Sequence, residues 1–111
     1  MEYRQPGKSG PKASALGLGA MGMSGTYGPA DQAESIATIH AALDAGITLI
    51  DTDDFYSMGH NEMLIGEALK GTKCDGAVIS VKFGALRDPK MGWVGYDARP
   101  AAVKNFLAYS L

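Results

Sequence analysis

A chain of 111 residues, 46% of them apolar, is long enough for one modest globular domain, and its composition is neither low-complexity nor disordered. Ten basic against twelve acidic residues leave a net charge of −2 with no basic block, so nothing offers the electrostatic footprint of a nucleic-acid reader. The stretch Met1–Gly10 is polar and broken by Pro6 and Gly7, no 18 apolar residues run together, and Cys74 is the single cysteine. The expectations are no secretion signal, no membrane span, no intrachain disulfide and a cytoplasmic setting, with Cys74 a small residue at a helix–strand connection.

The first segment, Tyr3–Ser14, predicts a small hairpin around Gly7–Pro11. A short strand near Ala15–Leu18 follows, then a turn-rich stretch from Gly19 to Pro29. A helix is predicted over about Asp31–Ala45. Asp31 caps it, Glu34 completes a capping-box spacing, Ile36, Ile39 and Leu43 share one face, and Gly46 stops it. The second strand, Ile47–Asp51, is a continuous apolar and β-branched run of the kind buried on both faces of a parallel sheet.

Past a loop to Gly59, Asn61 is read as the cap of a second helix with Leu64, Ile65, Ala68 and Leu69 on its apolar side, closed by Gly71. The third strand is Ala77–Phe83. A long loop containing Gly84, Pro89, Gly92 and Gly95 leads to a last helix, with Pro100 in its first turn and Val103, Phe106 and Leu107 facing inward.

The alternation of strand and helix is the signature of parallel α/β architecture. Successive strands begin about 30 residues apart, the period of a (β/α)8 barrel of roughly 250 residues, of which three units are present. The fold class expected is therefore a partial TIM barrel: residues 1–111 form an incomplete N-terminal portion, with the hairpin as a plug over the barrel's bottom. Fifteen glycines, about twice the usual share, gather in loops and helix ends, where such a fold carries function.

Gly17-Leu-Gly19-Ala-Met-Gly22 spells the G-x-G-x-x-G dinucleotide fingerprint. That fingerprint needs a helix opening at the glycines so that its first N–H groups meet the pyrophosphate. Ser24, Gly25, Gly28 and Pro29 follow here, so no helix is expected for about nine residues and the Rossmann reading is rejected.

Three ionisable side chains converge on one face: Asp51 at the end of the second strand, Tyr56 in the loop after it, and Lys82 near the end of the third. In a barrel that is the catalytic face. Lys82 interrupts the apolar run Ala77–Val81, and a lysine there must find a carboxylate or a polar mouth; Asp51 on the neighbouring strand is the partner. Taken singly, Asp51 reads as a turn-former, Tyr56 as a packing residue and Lys82 as a snorkelling strand end. Their joint spacing favours chemistry.

The segment Asp51-Thr-Asp-Asp-Phe-Tyr56-Ser-Met-Gly-His-Asn61-Glu62 resembles the aldo-keto reductase family, as do Ala45–Ile47, Ile65–Leu69, Val81–Gly84, Gly17–Met23 and the ending Ala108–Leu111. The glycine-rich and Lys82-Phe-Gly84 stretches look closest to the branch that resembles channel β-subunits and pyridoxal reductases. The resemblance implies an oxidoreductase that uses NADPH to reduce aldehydes or ketones, with a tetrad of Asp, Tyr, Lys and His. Asp51, Tyr56 and Lys82 match three of these, and Gly19, Ala20, Met21 and Asp51 become candidate neighbours of the nicotinamide ribose. No metal is implied.

Tyr56 would be the general acid. A free tyrosine has a pKa of about 10 and gives up its proton poorly at neutral pH, so a nearby Lys82, held charged by Asp51, is needed to favour the transfer. The family's histidine follows a fourth strand, beyond these residues. His40 is read as a surface or helix-packing residue, and His60 as nearer the site. Asp53 stands where a small residue is common and Ser57 where glycine is common. A small-molecule carbonyl is the expected partner. The competing reading is a truncated remnant, or a non-enzymatic nucleotide-sensing module related to channel β-subunits.

Overall fold

The structure is a computed structural model that describes residues 1–71 and 75–111, so the expectation for Cys74 falls outside the described residues. The N-terminal hairpin is present: β1 (Tyr3–Arg4) pairs antiparallel with β2 (Ala13–Ser14). It docks through side chains onto the chain entering the sheet. Ser14 Oγ accepts from Thr48 N at 2.8 Å, Ser14 N donates to Thr48 Oγ1 at 2.9 Å, and the Tyr3 hydroxyl donates to Gly46 O at 3.1 Å. Thr48 precedes its strand, so the hairpin sits at the strands' N-terminal end, the expected bottom.

The central sheet has three parallel strands in sequential order: β3 (Gly17–Gly19), β4 (Leu49–Asp53) and β5 (Val78–Lys82). The first two start two residues later than the sequence suggested, for a reason at each start. Ala15 N donates to Glu2 O at 2.8 Å and so still belongs to the hairpin. Ile47 closes the preceding helix. Strand β4 is also not buried on both faces; Ile50 and Thr52 are buried, whereas Leu49, Asp51 and Asp53 are half-exposed on the other side.

Helix α1 (Gln32–Asp44) begins as expected, with Asp31 Oδ1 accepting from Glu34 N at 2.8 Å. It ends in a Schellman motif: Gly46 N donates to Leu43 O and Ile47 N to Ala42 O, both at 2.9 Å. Gly46 takes the left-handed φ of +87°, and a Cβ there would press on the Tyr3 hydroxyl at 3.2 Å. Helix α2 (His60–Ala68) differs from expectation at its start. Gly59 is the cap residue and Asn61 lies inside the first turn, fully buried, because its amide has stronger partners than the helix end.

Both helices cover one face of the sheet, where Ala20, Ile39, Ile50, Ile65, Ala68 and Leu69 form the core. Truncating Ile39 or Ile50 to alanine would cost on the order of 2–5 kcal/mol.

The stretch after β5 is a hairpin rather than the expected loop, with β6 (Ala85–Arg87) antiparallel to β7 (Trp93–Tyr96). Asp88 makes the turn, its Oδ1 accepting from Lys90 N at 2.8 Å and Gly92 N at 2.9 Å while its own N–H reaches Gly92 O. Helix α3 (Pro100–Ser110) has its proline in the first turn, and Phe106 packs on Phe83 with ring centroids 6.3 Å apart. No residue of α3 is buried, and Leu107, expected to face inward, is 59% exposed. It looks onto the free flank of β5, where Ile79 and Phe83 are also exposed.

The sheet is open rather than closed into a barrel, and its outer strands leave unpaired backbone beside apolar side chains. Residues 1–111 expressed as an isolated polypeptide are therefore expected to self-associate and to unfold without a sharp transition, measured by sedimentation velocity and thermal circular dichroism. A monomer with a cooperative transition would contradict this. A complete barrel, in which further βα units follow this segment, should melt cooperatively.

Candidate active site

Parallel pairing places Gly19 opposite Asp51 and Asp53 opposite Lys82, so Gly17, Gly19, Leu49, Asp51, Asp53, Val78, Ser80 and Lys82 line the sheet face turned away from α1 and α2. Near the C-terminal end of that face the Lys82 ammonium donates to Asp51 Oδ2 at 2.5 Å and to Thr52 O at 3.0 Å. The pair bridges two adjacent strands.

Tyr56 completes the group. It lies in the turn between β4 and α2, where Asp53 Oδ1 accepts from Phe55 N at 2.8 Å and Asp53 O accepts from Tyr56 N at 3.1 Å. An aspartate at position 53 thus ties the turn instead of disturbing it. Lys82 Nζ stands 5.3 Å from the Tyr56 ring centroid. That distance brings the ammonium up against the tyrosine, and Tyr56 together with Asp51 favours the charged lysine. Burial works against the charged form of Lys82; the hydrogen bond and charge of Asp51, with help from Tyr56, outweigh it and hold the ammonium above the usual lysine range.

The structure therefore brings Asp51, Tyr56 and Lys82 together. Of the other candidates, Gly19 is exposed and a Cβ on it would meet nothing within 4 Å, which leaves a bare backbone floor beside Asp51. Ala20 turns away: its methyl is fully buried, its N–H donates to Asp51 O at 2.9 Å and its carbonyl accepts from Asn61 Nδ2 at 2.7 Å. Ala20 is a spacer there, with no free group to offer. Met21 is half-buried in a 3-10 turn, Met21–Ser24, which begins at once after the glycines where no helix was expected. That turn is four residues long, and the next α-helix opens only at Gln32, so the Rossmann geometry is absent.

A flat floor at Gly19 and a carboxylate next to it suit a planar ring and the ribose hydroxyls of a dinucleotide. On β3, β4 and β5 the only cationic side chain is Lys82, already committed to Asp51, so these strands fit the nicotinamide end and not the pyrophosphate. Among the described residues no group of three or more His, Cys, Asp or Glu side chains is arranged to hold a metal ion, and no helix is long and apolar enough to cross a membrane.

Neither histidine joins the group. His40 Nε2 bonds Ala68 O at 2.8 Å and ties α1 to α2, as a helix-packing residue would. His60 Nδ1 bonds Ser24 Oγ at 3.0 Å.

Sequence reasoning missed two features around Tyr56. The Arg87 guanidinium stacks 3.6 Å from the Phe55 ring centroid and donates to Phe55 O at 3.0 Å, fastening the unforeseen hairpin to the Tyr56 turn. Asp54 is the second. Burial raises its carboxyl, and a hydrogen bond and charge from Asp53 and the charge of Glu62 raise it further, against a backbone hydrogen bond with Gly84, to about 6. Among the described residues its Oδ1 finds no donor and is buried.

A carboxyl with a raised folded-state value binds its proton more tightly folded than unfolded, so it favours folding at low pH and the benefit is lost as pH rises from about 4 through 6. In a complete barrel carrying this segment, Asp54→Asn should raise the denaturation midpoint at pH 7.5 and leave it little changed at pH 4.5. Equal shifts at both values would remove Asp54 as the cause.

Comparison with known proteins gives the same family from sequence and from shape. The model of the Aldo/keto reductase family matches residues 15–111. The chain is 44% identical over 84 residues to aldo-keto reductase YhdN of Bacillus subtilis (strain 168), covering 74% of this chain and 25% of that protein. It is 36% identical over 104 residues to pyridoxal 4-dehydrogenase of Microbacterium luteolum, covering 94% of this chain and 30% of that protein. Against the holo form of aldo-keto reductase AKR11C1 from Bacillus halodurans the TM-score is 0.85 at 32% identity, over 100% of this chain and 35% of that one. The chain thus spans 25% to 35% of the length of these relatives, and by the extent of the family match it belongs to the aldo/keto reductase family.

Proposed function

We propose that this segment supplies the acid half of an NADPH-dependent carbonyl reductase, with Tyr56 as proton donor. The observation that carries the reading is the Lys82 ammonium, which is bonded to the Asp51 carboxylate and stands 5.3 Å from the centroid of the Tyr56 ring. A non-enzymatic module would have no need of that alignment.

When bound, the nicotinamide cofactor supplies a hydride to the carbonyl carbon. Gly19 and Asp51 are the residues that would receive its nicotinamide and ribose. As negative charge grows on the carbonyl oxygen, Tyr56 passes it a proton, and the charge left on the phenol oxygen forms beside the Lys82 ammonium. Asp51 keeps that ammonium charged and aimed. Its own carboxylate needs no proton exchange in the step. The substrate class is a small aldehyde or ketone, as the family membership suggests.

In a complete barrel, Tyr56→Phe should lower the carbonyl reduction rate about 10²-fold or more with little change in melting temperature, since only the donor oxygen is lost. Near-normal turnover by that variant would rule out Tyr56 as the acid. Residues 1–111 alone are expected to show no aldehyde-dependent NADPH consumption, because the pyrophosphate has no cationic holder on these strands and an unanchored cofactor cannot keep its hydride at reacting distance.

A further inference from the structure

The turn carrying Tyr56 contains a backbone conformation that its own residues do not favour. Ser57 and Met58 follow the tyrosine with φ of +49° and +53°, two consecutive left-handed residues of which neither is glycine. L-residues with side chains visit that region seldom, and persist there when surrounding contacts over-determine them. Glycine would take the same φ without strain. Serine brings one thing glycine lacks, a hydroxyl, and it is used: Ser57 Oγ donates to Ser24 O at 2.6 Å, across to the 3-10 turn that follows β3.

The other end of this connection is Asn61. Its side chain is fully buried and makes three bonds: Oδ1 accepts from Thr52 Oγ1 at 2.6 Å, and Nδ2 donates to Ala20 O and to Ser24 Oγ, each at 2.7 Å. Two of these partners adjoin the reacting group. Thr52 follows Asp51, and its carbonyl accepts from Lys82. Ala20 follows Gly19 and is bonded to the backbone of Asp51. Asn61 N also donates to Tyr56 O at 3.4 Å. A buried amide joined to β4, to the 3-10 turn and to the Tyr56 turn fixes all three relative to one another.

We propose that Ser57, Ser24 and Asn61 form a positioning clamp, which holds the strained turn against the 3-10 segment and so keeps Tyr56 beside the Lys82 ammonium. The clamp rests on the reading of Tyr56 as the acid, and none of its members touches substrate. Ser57 is the informative position, because its hydroxyl can be removed with little loss of packing.

The test uses a complete barrel carrying this segment, in wild-type form and as Ser57→Ala, Asn61→Ala and Tyr56→Phe, with tyrosine replaced throughout by 3-fluorotyrosine for one set of measurements. The resonance missing from Tyr56→Phe identifies position 56. In Ser57→Ala the clamp predicts a broadened or split fluorine signal at Tyr56 without cofactor. It also predicts kcat lowered about tenfold with carbonyl KM within twofold, and a larger primary isotope effect with deuterated NADPH, since misplacing a reacting group slows the chemical step. Asn61→Ala should do the same where it folds; where it does not, Ser57→Ala decides. An unchanged Tyr56 signal and kcat within twofold of wild type for Ser57→Ala would overturn the clamp. If that result comes with an inactive Tyr56→Phe, the clamp fails and the acid reading stands; an active Tyr56→Phe removes the acid reading itself.

Discussion

Parallel pairing in sequential order is the constraint on which everything else rests. Each strand leaves the sheet at the same end, α1 and α2 return over the same face, and the opposite face carries Asp51, Asp53, Ser80 and Lys82. That geometry sets Gly19, Asp51 and Lys82 on three neighbouring strands, although 63 residues separate the first from the last in sequence. The apolar residues that drive it are few. Ile39 from α1, Ile50 from β4 and Ile65 from α2 meet behind the sheet, and their burial fixes which side of β4 Asp51 occupies.

The electrostatics divide into two kinds. The Lys82–Asp51 pair has side chains 46% and 44% exposed, and an ion pair so open to solvent contributes at most about 1 kcal/mol to folding. Stability is a poor explanation for a lysine set into an apolar strand. On the proposed reading its value is chemical: a fixed positive charge beside the oxygen that must lose a proton. Asp54 is of the other kind, a carboxyl drawn out of water next to Asp53 and Glu62, and it costs stability at neutral pH. The Tyr56 turn thus combines left-handed backbone and a costly carboxylate within five residues, the concentration of unfavourable terms expected where a loop is shaped by function.

Much of this was legible in the sequence because the signals were local and periodic. Asp31 with Glu34 marked the start of α1, Gly46 its end, and the interruption of an apolar strand by Lys82 pointed to Asp51 without any coordinates. What escaped was set by tertiary contact. Ala15 and Ile47 have strand-forming neighbours but are used by the hairpin and the helix terminus. Asn61 has the composition of a helix cap, and only the arrival of Thr52, Ala20 and Ser24 around it makes it a buried junction. The β6–β7 hairpin was hidden by its glycines and Pro89, which read as loop residues, while Trp93, Val94 and Tyr96 carried the strand signal.

The central claim is that Asp51 and Lys82 act as one unit through Tyr56. A double-mutant cycle in a complete barrel tests this most directly, with Asp51→Asn, Lys82→Met and the double variant compared by kcat/KM for a reactive aldehyde. The account predicts strong non-additivity at saturating NADPH, where a ribose contact of Asp51 no longer limits the rate: once Lys82 is gone, removing Asp51 should cost little more, because its effect on the chemical step passes through the ammonium. Losses that simply multiply would mean that the two residues act independently, and would contradict the account.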